Sequence, residues 1–172
     1  MIRNELKTSL ETREARYHEF YKIGSRLDVE FRFTRQMVMT ARKWTSYIDE
    51  TIRQATGHPR AHWQTLFALA FSEGPVPTLV LSERLGVRWP TLIRTLNKLE
   101  KLGMVVRYQN EDDRRSRLVG ITEKGMELVV AVKQILDPTR NDLLRPLNVR
   151  EMRETEETLK KFQLLLARIT GD

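Results

Sequence analysis

Four polar side chains that can hydrogen-bond nucleic acid share one face of a predicted helix. They are Thr91, Arg94, Thr95 and Lys98. Their spacing of three and four residues places them together, while Leu92, Leu96 and Leu99 turn to the inward face. Arginine can donate two hydrogen bonds to a guanine edge, and threonine can contact a thymine methyl or a phosphate. This face predicts a helix that reads the major groove of DNA, with an ordinary solvated helix surface as the alternative.

A second cluster of charge follows this helix. The segment 109–116, QNEDDRRS, separates two β-prone runs at 104–108 and 117–121, a pattern that predicts a β-hairpin with a charged tip. Narrow minor grooves attract arginine, so Arg115 is a candidate for such a contact. Phosphate would repel a bare carboxylate, so we expect Asp112 or Asp113 to hold an arginine. The alternative is a generic charged turn.

The composition favours an anionic partner and excludes several kinds of site. The 172 residues include 30 Lys+Arg and 23 Asp+Glu, a net charge of +7, and the 88–117 window alone carries 8 basic and 4 acidic residues. The absence of cysteine excludes disulfides, thiolate zinc sites and cysteine catalysis. His58 and His62 are four residues apart, but Pro59 lies between them and no carboxylate stands at metal-ligand spacing. We expect no enzyme activity and no cofactor, because no phosphate loop or Ser/His/Asp arrangement is present.

The chain is predicted to form one soluble domain in the cytoplasm. No apolar run approaches the ~20 residues that a membrane span needs. The first twenty residues mix both charges and lack the apolar core of a secretory signal.

The apolar periodicity predicts an α-rich chain with one small β element. Helices are expected over 26–55, 61–71, 78–85, 90–103 and 123–136, and after Asn148. Thr78 is predicted to cap its helix, Gly86 to adopt a left-handed conformation after it, and Pro138 to end the fifth helix. Two short helices joined by a glycine turn form a helix-turn-helix, and a hairpin directly after them makes it a winged helix.

The last helix carries a regular apolar seam. Its members step by three and four residues: Met152, Thr155, Leu159, Phe162, Leu166 and Ile169. Such a seam is typical of helix–helix packing. It can pack within one chain or against a second copy, and the spacing alone does not choose.

Several of these segments together resemble the MarR family of bacterial transcription regulators. The matching runs are LSERLGV at 81–87, TLIRTLNKLEKLGMV at 91–105, DRRS at 113–116 and ITEKG at 121–125. The run PTLIRTL at 90–96, with Trp44, His62 and Trp63, is similar to the SlyA-like branch. The resemblance extends from about Val38 to Asp172 and leaves residues 1–25 as an N-terminal extension.

The resemblance implies a mainly α fold with a small β-hairpin wing, in which long N- and C-terminal dimerisation helices flank a winged helix-turn-helix. Residues 26–60 and 126–172 would form the dimerisation region and 61–125 the DNA-binding region of one integrated domain. The partners would be a second copy, held by Leu159, Phe162, Leu166 and Ile169, and a pseudo-palindromic operator in double-stranded DNA.

The same resemblance implies roles for individual residues. Asp113 of the wing would hold Arg94, and Arg115 would enter the minor groove. The predicted DNA-binding set is Arg88, Thr91, Arg94, Thr95, Lys98, Asp113, Arg114, Arg115 and Arg117.

Many relatives release DNA when they bind a small aromatic or phenolic carboxylate, and the resemblance implies such an effector, or its CoA thioester, for a repressor here. The predicted ligand-binding residues are Arg42, Trp44, His62, Trp63 and Phe67, with Tyr47, Arg60 and Phe71 as neighbours. These aromatics could instead be core residues. The alternative function is a winged-helix protein-interaction module without an effector, which would favour exposed apolar residues on the outward face of the second short helix.

Overall fold

A computed structural model of the chain describes residues 16–110 and 117–170. The described residues are mainly helical, with a small antiparallel sheet, as the sequence predicts. Their contacts divide the chain into two units, residues 16–48 and 49–170. The assignment of 26–60 and 126–172 to one dimerisation region stays a prediction. None of the described helices is both long enough and apolar enough to span a membrane.

The first unit contains helix α1 (Tyr17–Phe20) and helix α2 (Arg26–Thr56) as far as residue 48. Asp28 is buried and accepts hydrogen bonds from the Tyr17 hydroxyl at 2.7 Å, the Gly24 N–H at 2.8 Å and the Arg32 guanidinium at 2.7 Å. The Tyr17 hydrogen bond, followed by that of Gly24, lowers the pKa of Asp28. Desolvation and the same bond raise the pKa of Tyr17 to about 12. The residues just before α2 therefore fold back onto its first turns.

The second unit is built around helix α3 (Arg60–Ala70), which packs against helix α4 (Thr78–Leu85), helix α6 (Glu123–Leu144) and the sheet. Helix α5 (Trp89–Lys101) follows α4 in the sequence, and helix α7 (Val149–Thr170) is the last described helix. The core consists of fully buried aliphatic side chains from these elements. It includes Leu66, Leu81, Leu92, Leu96, Leu99, Val119 and Val132.

The sheet has three antiparallel strands in the order β1-β3-β2. Strand β1 is Val76–Pro77, β2 is Val105–Gln109 and β3 is Arg117–Ile121. The β2–β3 pair is the predicted hairpin, with Val105 opposite Ile121 and Gln109 opposite Arg117. Strand β1 was not predicted, because two residues are too short to show an alternating pattern and proline is disfavoured except at sheet edges.

Two predicted helix ends are wrong. Thr78 is the first residue of α4, so the N-cap position falls on Pro77 and no side chain caps the helix. The Thr78 hydroxyl donates to the Arg117 carbonyl at 2.8 Å and so ties α4 to β3. Pro138 does not end α6, which continues to Leu144. Pro138 lacks the N–H that would bond the Gln134 carbonyl. Val132 and Leu136 in the preceding turns are buried, so core packing holds the helix together despite this lost hydrogen bond.

Other predicted helix ends are confirmed. Gly86 follows α4 in the left-handed conformation, with φ +60°. Thr122 caps α6 by accepting a hydrogen bond from the Gly125 N–H at 3.1 Å. Asn148 caps α7 through a 2.8 Å hydrogen bond from the Arg150 N–H.

Candidate nucleic-acid interface

Helix α5 is positioned by its apolar stripe. Arg88 is extended just before the helix, with φ −65° and ψ 140°, and Pro90 occupies the first turn, where its missing N–H costs no helical hydrogen bond. Leu92, Leu96 and Leu99 are buried, at 1% exposure or less. The opposite side of the helix is therefore forced outward.

The outward side carries the four polar residues that the sequence singles out, which we call the reading face: Thr91, Arg94, Thr95 and Lys98. Thr91, Arg94 and Lys98 are exposed and Thr95 is half-buried. The Thr95 hydroxyl donates to the Thr91 carbonyl at 3.1 Å, so its oxygen can still accept a hydrogen bond from a ligand. In the described part of the chain, no carboxylate lies within ion-pairing distance of Arg94 or Lys98. Within residues 16–110 and 117–170, the reading face thus offers cationic donors that no carboxylate neutralises.

The other predicted DNA-binding residues fall into two groups. Arg88 is exposed before α5, and Arg117 is exposed at the start of β3, where its carbonyl is held by Thr78. Asp113, Arg114 and Arg115 lie outside the described residues, as does Asp112. The pairing of Asp113 with Arg94 and the insertion of Arg115 stay predictions.

The structure also shows a contact that the sequence analysis missed. Arg107 of β2 donates from Nη2 to the Asn97 side-chain oxygen of α5 at 2.6 Å, and its Nε lies 3.7 Å from Glu100. The available signal was a charged residue inside an apolar strand. Its partner could not be found, because the register between strand and helix is a tertiary property.

With this geometry established, comparison with known proteins is informative. Residues 56–116 match the MarR family model. This match confirms the predicted resemblance to the MarR family. A MarR transcriptional regulator from Methanosarcina mazei is 28% identical, with 81% of this chain and 99% of that chain covered and a TM-score of 0.68.

Two further structures of similar fold contain DNA. A mutant MarR from E. coli complexed with operator DNA is 22% identical, covers 81% of this chain and 99% of its own, and has a TM-score of 0.68. The S. aureus MepR–DNA complex is also 22% identical, covers 78% and 97%, and has a TM-score of 0.68. At this identity the likeness shows the fold alone. Assignment to the SlyA-like branch of the MarR family stays a prediction.

His62 is buried and paired with His58, with the two Nδ1 atoms 3.2 Å apart. Burial lowers the pKa of both imidazoles, the nearby Lys124 lowers that of His58 further, and His58 and Lys98 add to the effect on His62. A neutral pair can share one N–H···N hydrogen bond. No three potential metal-ligating side chains gather anywhere in residues 16–110 and 117–170.

The residues predicted to bind an effector lie in different units. Arg42 is exposed and Trp44 half-buried on α2 in the first unit. Trp63 is buried and Phe67 half-buried on α3 in the second, with their rings edge to face at 6.1 Å. Trp63 Nε1 is buried without a hydrogen-bond partner. The neighbouring Arg60 is already paired with Asp49 at 2.7 Å, so its guanidinium is engaged.

Two surface pockets of about 360 Å³ are lined by other residues. One follows α2 along Val29, Arg32 and Phe33, and the other surrounds the turn after α3, between Phe71 and Arg84. Neither pocket is lined by Arg42, Trp44, His62, Trp63 or Phe67.

Proposed function

We propose that this chain is a dimeric DNA-binding transcription regulator that reads a pseudo-palindromic operator with helix α5. The observation that carries the proposal is the reading face, whose exposed Arg94 and Lys98 have no carboxylate partner in the described residues. The net charge of +7 favours a polyanion, and two structures of the same fold hold DNA.

The chemistry of each element follows from its position. Helix α5 presents its N-terminal half to the major groove, where Arg94 donates two hydrogen bonds to a guanine. Arg88, Lys98 and Arg117 contact phosphates and position the protein without reading sequence. In the same proposal Asp113 orients Arg94, and Arg115 enters the adjacent minor groove.

The test of this function compares Arg94→Ala with Lys101→Ala on a duplex selected by the wild-type protein from a random pool and on a scrambled duplex. Arg94→Ala should lower the ratio of the affinities for the two duplexes roughly 5- to 150-fold, equivalent to about 1–3 kcal/mol, because it removes a base contact. Lys101 carries the same charge at the end of α5, and Lys101→Ala should weaken both duplexes alike and flatten the salt slope by about one unit. Equal loss on both duplexes for Arg94→Ala would contradict base reading.

The substitution Asp113→Ala distinguishes two effects of this carboxylate on DNA binding, the orientation of Arg94 and the repulsion of phosphate. Removing a carboxylate near DNA raises affinity on charge grounds alone, whereas freeing Arg94 lowers specific binding. We expect weaker binding to the selected duplex at both low and high salt. Tighter binding to it would refute the orienting role.

We further propose that the regulator is a repressor, released when a small aromatic carboxylate or its CoA thioester binds near Trp63 and Phe67. The support is the buried Trp63 Nε1, which lacks a partner, beside an aromatic pair. Benzoates, cinnamates and their CoA thioesters should quench tryptophan emission and weaken operator binding, and Trp63→Phe should reduce both responses. If no compound in this panel changes either signal, the effector class is wrong.

A further inference from the structure

We infer that Arg107 and Asn97 are positioning residues that set the distance between the reading face and the β2–β3 hairpin, and thereby control how well the protein distinguishes its operator from other DNA. This inference rests on the proposed function. It adds two residues that touch no base but hold the two DNA-contacting elements in register.

The contact joins the middle of a strand to the side of the helix. Arg107 Nη2 donates to the Asn97 side-chain oxygen at 2.6 Å, and Arg107 Nε lies 3.7 Å from a Glu100 carboxylate oxygen. The Arg107 side chain is 23% exposed, while Asn97 and Glu100 are exposed. Asn97 and Glu100 are three residues apart, so both lie on the flank of α5 that faces the strand.

This flank is next to the reading face. At 100° per residue, Asn97 lies about 60° around the helix from Arg94 and on the side away from the buried leucines. A movement of the strand against Asn97 therefore changes the space beside Arg94. Arg107 of the hairpin is thus connected to Arg94 through a single residue, Asn97.

The main chain alone does not hold this geometry. The turn after α5 is fixed by the Gly103 N–H to the Glu100 carbonyl and the Met104 N–H to the Leu99 carbonyl, both 2.9 Å. These bonds secure the start of β2. Arg107 lies three residues after Met104, roughly 10 Å along an extended strand, where no described main-chain bond joins β2 to α5. The Arg107–Asn97 bond sets the angle at which the hairpin leaves the helix.

The consequence for binding is preorganisation. Helix α5 and the exposed Arg117 of β3 must meet two different parts of the same duplex at once. Groups already held at the correct separation lose less conformational entropy on binding, and a displaced group misses its contact. Loss of the Arg107–Asn97 bond should therefore weaken binding to cognate DNA, which uses every contact, more than binding to random DNA.

The experiment measures affinities of Asn97→Ala, Arg107→Met and the double variant for the selected and scrambled duplexes at two salt concentrations. Asn97→Ala should lower affinity for the selected duplex about tenfold, with little change on the scrambled duplex and an unchanged salt slope, because no charge is removed. The double variant should bind the selected duplex no more weakly than Arg107→Met alone, because both substitutions break one bond.

Two controls separate positioning from loss of charge or stability. Lys101→Ala removes a charge from the same helix and should keep the ratio of the two affinities. Asn97→Asp keeps the oxygen that accepts from Arg107, so it should retain the ratio while weakening both duplexes through its added negative charge. Since Asn97 is exposed, thermal unfolding of Asn97→Ala should match the wild type.

The outcomes distinguish this inference from the function on which it depends. A wild-type protein that does not prefer any duplex over a scrambled one would overturn the proposed function and the inference together. A wild-type protein that discriminates, with an Asn97→Ala variant that discriminates equally, would overturn the positioning role alone. The positioning role would also be overturned if the fold-losses in affinity of the two single variants multiplied in the double variant.

Discussion

The double substitution Leu159→Glu and Phe162→Glu is expected to turn the proposed homodimer into monomer or aggregate. These residues belong to the seam of α7, a helix in which none of the described residues is buried. Leu159 is 38% exposed, Leu166 45% and Ile169 82%. A single chain thus leaves this apolar surface in water, and a two-fold partner would cover it.

The expected loss of dimerisation free energy follows from the apolar area that is no longer buried and from the negative charge that is introduced. Burying one leucine or phenylalanine contributes about 1.5–3 kcal/mol, and a carboxylate in an apolar seam adds a desolvation cost. With both subunits changed, the dimer should lose at least about 4 kcal/mol, roughly a thousandfold in its dissociation constant. Sedimentation equilibrium measures this directly. Operator affinity should fall as well, because each subunit would then hold one half-site alone.

A matched control changes the charge equally on the other side of the helix. Lys161→Gln with Arg168→Gln lowers the charge by two units, as the double glutamate substitution does, but both residues are exposed and face away from the seam. This control should remain dimeric. A folded dimer in the Leu159→Glu, Phe162→Glu variant would refute dimerisation through α7.

The substitution Gly125→Ala is expected to destabilise the fold by about 3 kcal/mol. Gly125 lies in the first turn of α6, and an added Cβ would clash with the Met104 carbonyl oxygen and lie 2.8 Å from Ile121 Cγ1. The Met104 oxygen cannot retreat freely, because it accepts a 3.1 Å hydrogen bond from the Thr122 N–H. The Thr122 hydroxyl also donates to the Gly103 carbonyl at 2.7 Å, so helix and turn are clamped together. Overpacking against such a rigid neighbour costs about 1–3 kcal/mol or more.

Urea unfolding of Gly125→Ala and Gly74→Ala provides the measurement and its control. A Cβ on Gly74 would meet no atom within 4 Å, and its φ is not positive, so Gly74→Ala should stay within about 0.5 kcal/mol of the wild type. Operator affinity of the folded fraction of Gly125→Ala should be reduced too, because α6 begins beside the turn that joins α5 to β2. Equal stability of the two variants would show that the helix start can shift at little cost.

The sequence determined most of the elements that carry the site. The leucines at 92, 96 and 99 are spaced for one helical face, so their burial forces Arg94 and Lys98 outward without reference to any other part of the chain. Gly86, Thr122 and Asn148 act on backbone groups within a few residues of themselves, and these local effects were predictable. The two hairpin strands were visible for the same reason, as β-prone runs on either side of a polar turn.

Tertiary structure decided what depends on partners distant in the sequence. The Thr78 hydroxyl donates to the Arg117 carbonyl, 39 residues away, a contact that no local pattern predicts. Pro138 stays within α6 because the buried Val132 and Leu136 pack into the core of the second unit, which offsets the lost main-chain hydrogen bond. Arg107 meets Asn97 only because packing sets the strand beside the helix, and Gly125 is required only because the Met104 carbonyl lies against it. Periodicity determines which face of an element is buried, whereas the neighbour that it meets depends on packing free energies summed over the whole unit.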